Sequence, residues 1–461
     1  LKLFSSSPKP YRELLHIGLP IILGQVGAIF VSFADNIMVG HYDTDAFASA
    51  SFVNNLFALI FVLGMGFSYG LTPLVTTAYT LRKYHKAGAL LMHSLLLNLV
   101  LALVLSGVML AIYFNLEAFD LPEHLHPIVR PYFLLQIGSF VLYMFLSAFK
   151  QFFDGAGYTS VGMWIILISN ALNVLGNWLL IYGELGLPEL GLLGAGIATL
   201  ASRVFVLVAF VLYFYRRQAF RSSWQGFLSG HYCPRNLSRL ARLGSSVGMY
   251  SGVEATSFTI ALLFVTRLGV IPLAVHQILC VVTTIGFLIY YGLGAATTIL
   301  VSRFRTIGDF VGVRMATRVG LELSLVVAVF AMAVMLLGRH YIGYIFTKDE
   351  EMIAMVSVAL IPVILYQVGD AMQVIYANAL RGMEDVGYLA FFATLIHLGL
   401  EPILSYIFGF RLPLQSTTLQ LVGVWSAFPI GLLALGLLLR YRFGRIVAIE
   451  QAAQAKQVLD K

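Results

Sequence analysis

A chain of 461 residues, 59% hydrophobic and only 11% charged, departs from ordinary soluble domains, in which about a quarter of the residues carry charge. The few charges fall between long apolar runs, so the bilayer is the expected solvent and a soluble two- or three-domain protein is excluded. The net charge of +7 comes with no aromatic-interleaved basic patch, which argues against nucleic acid as a partner, and Cys233 and Cys280 lack the CxxC or His-rich spacing of a disulfide framework or zinc site.

The chain opens with a polar stretch, Leu1 to Pro10, carrying Lys2 and Lys9. It has neither the short apolar core nor the small-residue cleavage site of a secretory signal, so the first apolar run is expected to be a permanent span. The absent initiator Met is expected to mean that the numbering starts inside the natural chain. A helix needs about 20 apolar residues to cross the hydrocarbon core. The polar punctuation predicts twelve such spans, near 14–38, 48–78, 88–114, 128–152, 160–182, 192–215, 243–266, 273–302, 315–345, 352–380, 387–409 and 418–440. The expected fold class is an all-α integral membrane protein with twelve transmembrane helices in two six-helix lobes.

Most of the 29 Lys and Arg residues lie in the termini and the even-numbered connections; the opposite side shows Arg130, Arg267, Arg339, Lys348 and Arg411. That asymmetry predicts that both termini are cytoplasmic. Between Arg216 and Arg242 six arginines occur without an acid, which marks a linker. The expected division is an N-lobe over 1–215, a linker over 216–242, a C-lobe over 243–440 and a cytoplasmic tail over 441–461.

The two halves repeat. Shifted by 226 residues, Val39-Gly40 falls on Val265-Thr266, Gly66 on Gly292, and Leu74-Val75-Thr76 on Leu300-Val301-Ser302; Gly155 falls on Gly382 after one further residue. Both halves start on the same side and hold six spans, so the repeat is parallel, and a cavity between two lobes is expected.

A carboxylate within a span is costly unless it faces water, pairs or holds a proton, so it is a functional candidate by default. Asp35 lies near the outer end of span one. Span five offers Asn173 and Asn177, four residues apart on one helix face, and span six offers Thr199. Together they would form an oxygen cluster for a hard monovalent cation or a shared proton; the alternative is that Asp35 caps a helix end or bonds amides structurally. Glu254 in span seven and Asp370 in span ten have no basic residue at comparable depth. Two acids facing one cavity would repel and take up a proton or cation between them; the alternative is two separately protonated core acids.

Arg203, on the helix of Thr199, is either a local counter-charge or a side chain reaching an interface. Glu322 and Glu401 lie near span ends, where structural roles are expected. His276-Gln277 is either a gate or helix glue. Phe33, Tyr250, Phe258, Phe264, Tyr290, Tyr291 and Tyr366 are aromatics that could stack on a flat cation, although packing or interface roles are expected for most of them.

These residues carry a resemblance. Ala34-Asp35-Asn36-Ile37-Met38-Val39-Gly40, Leu273-Ala274-Val275-His276-Gln277-Ile278, Asn173 with Asn177 leading into Ile181-Tyr182-Gly183, Gly194-Ala195-Gly196-Ile197-Ala198-Thr199 and Leu380-Arg381-Gly382 resemble, in this order and over nearly the whole chain, the multidrug and toxic compound extrusion (MATE) transporters, NorM-like bacterial branch. The resemblance implies alternating access, with an inward Na⁺ or H⁺ gradient driving the export of organic cations. It implies that Asp35 is the N-lobe acid with Asn173, Asn177 and Thr199 around it. It further implies that Glu254 and Asp370 are the C-lobe pair with Tyr366 as a cation-site aromatic, and that any Na⁺ would be held by Glu254, Asp370 and Asp35. Asn177 stands where some relatives have an acid, and Thr266 departs from Gly40 in the repeat.

The expectation is therefore a non-enzymatic secondary antiporter of a bacterial inner membrane. It would act as a monomer among membrane lipid, on small amphipathic cationic compounds, with no cofactor beyond the coupling ion. A flippase for a lipid-linked precursor would require a cationic cavity, whereas the deep charges here are mainly acidic. A membrane-embedded enzyme would require a metal-spaced His/Asp cluster, a nucleophile elbow or a P-loop, none of which is present.

Overall fold

Backbone N–H and C=O groups find no water in the hydrocarbon core, so long apolar runs satisfy them internally as helices. The computed structural model describes residues 9–119, 121–229 and 233–459, and among these residues there are helices and turns but no strand. Lys2 and Lys461, two of the charges behind the predicted orientation, lie outside the described residues. Among the described residues, twelve helices are long and apolar enough to cross a membrane. They are α1 (Lys9–Tyr42), α2 (Thr44–Thr80), α3 (Tyr84–Phe114), α4 (Glu123–Gly155), α5 (Thr159–Ile181), α6 (Gly191–Arg216), α7 (Pro234–Leu268), α8 (Val270–Thr306), α9 (Phe310–Phe346), α10 (Glu350–Gly382), α11 (Val386–Arg411) and α12 (Thr417–Lys456). A turn at Tyr69 and Gly70 interrupts α2.

Two segments expected to be simple connections are built into the fold. Within 216–242, a 3₁₀ turn at Gln218–Phe220 leads into a short helix, Arg221–Leu228. The fully buried Phe220 ring lies 5.2 Å from that of Phe153 and 6.1 Å from that of Phe152. The expected tail from 441 onward continues α12 without a break. Phe443 and Val447 extend its apolar face into the core. Arg305 grips Glu450 through two hydrogen bonds of 2.9 and 2.8 Å, and Arg442 grips Asp385 at 2.5 and 3.1 Å. Bidentate pairs of this kind fix orientation as well as charge.

The chain divides into two compact units. One is Leu23–Gly248 and the other combines Leu1–Ile22 with Met249–Lys461. The division therefore falls inside α1 and inside α7 rather than in the linker, and the described residues from Lys9 to Ile22, assigned by sequence to the N-lobe, pack with the second half. Small residues make these attachments. In the second unit a Cβ built on Gly18 would stand 3.4 Å from both the Gly292 carbonyl oxygen and the Ala296 Cβ. In the first, a Cβ on Gly244 would stand 2.7 Å from the Phe67 carbonyl oxygen, and one on Gly70 would stand 2.6 Å from the Gly244 nitrogen. Gly244 is the repeat counterpart of Gly18, so each half lends the start of its first helix to the other half's unit. Because backbone rather than a mobile side chain blocks the space, Gly244→Val is expected to destabilise the protein by at least about 2 kcal/mol. Gly107→Val, where nothing lies within 4 Å, should be near neutral. Thermal unfolding in detergent measures both; equal melting temperatures for the two variants would refute the close-packing argument.

Within each unit one helix is central. In the first unit α4 packs against α2, α3 and α6; in the second α10 packs against α8, α9 and α12. These are repeat counterparts, and equivalent hydrogen bonds tie them in place. Thr76 Oγ1 donates to the Gly155 carbonyl at 2.9 Å, and Ser302 Oγ donates to the Gly382 carbonyl at 3.2 Å. Thr72 Oγ1 donates to Gln151 Oε1 at 2.8 Å, and Thr298 Oγ1 to Asn378 Oδ1 at 3.1 Å. The repeat inferred from spacing is thus preserved down to individual side chains.

Candidate functional site

Each unit carries polar side chains clustered within its apolar helices. In the first unit a cavity of about 580 Å³ is lined by α1, α2, α4, α5 and α6. Asp35 lies on its wall, half-buried. Asn177 Nδ2 donates to Asp35 Oδ1 in a very short contact, and Asn173 Nδ2 donates to Thr199 Oγ1 at 3.3 Å. Asn173 and Asn177 share one face of α5 and are both buried. All four residues anticipated for this cluster are therefore brought together. Opposite polar groups form a second network, in which Gln136 Nε2 donates to Asn54 Oδ1 at 3.1 Å and to the Tyr132 hydroxyl at 2.8 Å.

Arg203 also lines this cavity. It does not reach an interface: its guanidinium lies 4.8 Å from the Phe61 ring centre and 5.4 Å from that of Tyr143. Phe33, proposed as a substrate contact, is 49% exposed and is not among the cavity-lining residues.

In the second unit the cluster is buried. Tyr250, Glu254 and Ser257 lie three to four residues apart along α7, and Gln367, Asp370 and Gln373 do the same along α10. Asp370, Gln367 and Gln373 have no solvent exposure. Gln373 Nε2 donates to Glu254 Oε1 at 2.6 Å and lies 3.4 Å from Asp370 Oδ1, and the Tyr250 hydroxyl donates to Gln373 Oε1 at 3.3 Å. One amide therefore bridges the two acids that sequence placed on separate helices. Beside it, the Tyr290 hydroxyl donates to Gln367 Oε1 at 2.8 Å. Tyr366 is buried in the apolar core one turn before Asp370.

The cluster has a third acid. Glu401 on α11 is 1% exposed; Ser257 Oγ donates to its Oε2 at 2.6 Å, and His397 Nδ1 lies 2.9 Å from the same oxygen. Sequence reading put Glu401 near a span end in a structural role and did not single out His397 at all. The available signal was their i, i+4 spacing within an apolar run. Four buried polar atoms here, Asp370 Oδ2, Gln367 Nε2, His397 Nε2 and Glu401 Oε1, have no hydrogen-bond partner among the described residues. Buried polar atoms are nearly always satisfied, so such a concentration marks a place that accommodates water, a proton or an ion.

Other candidates are packing residues. Phe258 stacks on Phe428 with ring centres 4.8 Å apart, and the buried Tyr291 ring packs against Phe287 at 6.1 Å. His276 accepts from Trp425 Nε1 at 3.1 Å, as helix glue. Glu322 accepts from the Tyr11 hydroxyl at 2.5 Å and from Arg318 at 2.7 Å. No group of three or more His, Cys, Asp or Glu among the described residues is arranged to hold a metal ion. A monovalent cation at either cluster would therefore draw on amide and hydroxyl oxygens besides carboxylates.

The MatE family model matches residues 20–179 and 249–407, one stretch in each half. The chain belongs to the MatE family. It is 29% identical over 441 residues to the multidrug resistance protein NorM of Vibrio cholerae, covering 94% of this chain and 95% of that protein. It is 28% identical to a probable multidrug resistance protein NorM of Chromobacterium violaceum, over 94% and 93% of the two chains. The fold matches that of a Vibrio cholerae MATE transporter, with a TM-score of 0.86 at 13% identity over 95% of this chain and 97% of that one. It also matches a MOP superfamily transporter from Pyrococcus furiosus, with a TM-score of 0.85 at 18% identity over 96% and 97%. The protein is thus a multi-pass membrane transporter of the MATE/NorM multidrug efflux family.

Proposed function

We propose that this MatE chain is a secondary antiporter that expels amphipathic organic cations in exchange for inward Na⁺ or H⁺. It would do so by alternating access in the inner membrane, with both termini cytoplasmic. The observation that carries the reading is the bridge from Glu254 through Gln373 to Asp370. It joins two acids inside apolar helices, and among the described residues no arginine or lysine is bonded to either and Asp370 Oδ2 has no hydrogen-bond partner. Such a pair attracts a proton, a hard monovalent cation or an organic cation, and these compete because each neutralises the same charge. Occupation by the coupling ion would then expel the drug, and release of the ion would restore the site. The names of the NorM relatives, multidrug resistance proteins, support the substrate class. Asp35 with Asn173, Asn177 and Thr199 would form a second cation-responsive site in the other unit.

The test is drug transport by the purified chain in proteoliposomes under separately imposed Na⁺ and pH gradients. One gradient alone is expected to drive accumulation of a fluorescent organic cation. Transport indifferent to both gradients would overturn the antiport reading.

A further inference from the structure

We propose that the outward face of α12 from Leu437 to Arg445 binds an anionic phospholipid, with Arg440 and Arg445 receiving the phosphate of its headgroup.

Three arginines that lie on this stretch of α12 or pack against it are bonded inside the protein. Arg305 pairs with Glu450, Arg442 with Asp385, and Arg314 Nη2 donates to Gln451 Oε1 at 2.7 Å. Arg440 and Arg445 differ. Both are exposed, and among the described residues neither has a hydrogen bond or an ion pair. With Leu437, Tyr441 and Gly444 they line a groove of about 480 Å³ that contains no acid. Gly444 keeps it open, since a Cβ built there would meet nothing within 4 Å. Two guanidinium groups without an internal partner therefore border a space that calls for an anion from outside.

The helix below the groove says what kind of anion. Ile430, Leu433 and Leu437 are exposed at successive turns, and Tyr441 follows one turn later on the same stripe. Exposed side chains thus pass from aliphatic to aromatic to cationic, the order in which a bilayer passes from hydrocarbon through its interface to the phosphates. A small soluble anion would satisfy the arginines but leave the leucines and the tyrosine ring without a partner. A phospholipid meets all of them, with its acyl chains along Leu433 and Leu437 and its phosphate in the planar forks of the two arginines. A zwitterionic headgroup brings a cation of its own to the same place, so a net negative headgroup fits best.

The purified full chain in detergent–phosphatidylcholine micelles, titrated with phosphatidylglycerol, reads this site through its melting temperature, because a ligand of the folded state raises it. Phosphatidylglycerol is expected to raise the melting temperature saturably, and added phosphatidylcholine is not. Arg440→Gln combined with Arg445→Gln should raise the half-saturating phosphatidylglycerol concentration on the order of 10- to 30-fold, as expected for two basic side chains at a membrane surface. In phosphatidylcholine alone this variant should melt with the wild type, since it breaks no bond within the protein. Gly444→Glu, which sets a carboxylate between the two guanidinium groups, should also weaken the response. Lys83→Gln combined with Lys86→Gln removes equal charge from exposed positions of the other unit. It should shift half-saturation less than about twofold, because exposed charges beyond a Debye length are screened. Equal weakening by the two double variants would reduce the effect to diffuse surface charge and overturn the site. Protection by inorganic phosphate as strong as that by phosphatidylglycerol would overturn the lipid assignment. A wild type that responds alike to phosphatidylglycerol and phosphatidylcholine would overturn the proposal, whether or not any variant folds.

Discussion

Glu254→Gln combined with Asp370→Asn is expected to reduce gradient-driven exchange by on the order of 100-fold, the upper range of typical coupling between two ligands of one protein. Both replacements keep the side-chain shape and an oxygen acceptor. Gln373 Nε2 therefore retains the partners it now has at 2.6 and 3.4 Å, and the Tyr250 hydroxyl retains its bond to Gln373. What disappears is the charge for which ion and drug compete. Because Asp370 is buried and Glu254 half-buried, their removal should not lower stability. It relieves repulsion between two carboxylates and the cost of keeping them from water. The double variant should therefore melt at or above the wild-type temperature while exchanging little drug. Exchange within about twofold of wild type would sink the carboxylate-coupling mechanism at this site. Asp35→Asn, in the other unit, probes the Asn173–Asn177–Thr199 cluster separately in the same assay.

The His397–Glu401 pair should behave in the opposite sense. Its members are each 1% exposed and lie 2.9 Å apart, with Ser257 Oγ donating to the shared oxygen. Removing one partner from a buried pair typically costs about 3–5 kcal/mol, because the other is left uncompensated. Glu401→Ala and His397→Ala should each lower stability by that amount. Ser257→Ala, which removes one hydrogen bond to a charged group, should cost about 1.5–3 kcal/mol. The site has little room to adapt: Gly431 presses its backbone against the Glu401 side chain, and a Cβ there would collide with the carboxyl group. Combining His397→Ala with Glu401→Ala should cost clearly less than the sum of the single changes, the signature of a direct interaction. Unfolding in detergent with increasing denaturant reads all four variants. Additive losses, or a Glu401→Ala cost below about 1 kcal/mol, would show that the pair is not a structural unit.

Spans, repeat and polar clusters were legible because each has a one-dimensional signature. Apolar length gave twelve helices, the 226-residue spacing gave two related halves, and an acid within an apolar run stood out without any knowledge of packing. Asn173 and Asn177 could be assigned to one face from helical periodicity alone, and that face does carry the bond to Asp35. What stayed hidden depends on contacts between distant segments or on unusual helix geometry. Pro402 sits inside the span expected over 387–409, although a proline clashes with the preceding turn and lacks an N–H. The helix nevertheless continues, because Leu395–Leu400 adopts a π-helical turn just before it, and Glu401 becomes interior. Arg203 could be seen in its span but not over the rings of Phe61 and Tyr143, which come from two other helices. The continuation of α12 past residue 440 depends on the grip of Arg305 on Glu450, 145 residues away.

The reciprocal placement of Gly18 and Gly244 also bears on how such a chain arose and how it could be cut. Each half completes its helical unit with an arm taken from the other, which is the arrangement of a domain-swapped dimer joined into one polypeptide. For the present protein, a break opened between Arg217 and Cys233 should yield two fragments that fold together but not apart, each waiting for the missing turns carried by its sibling.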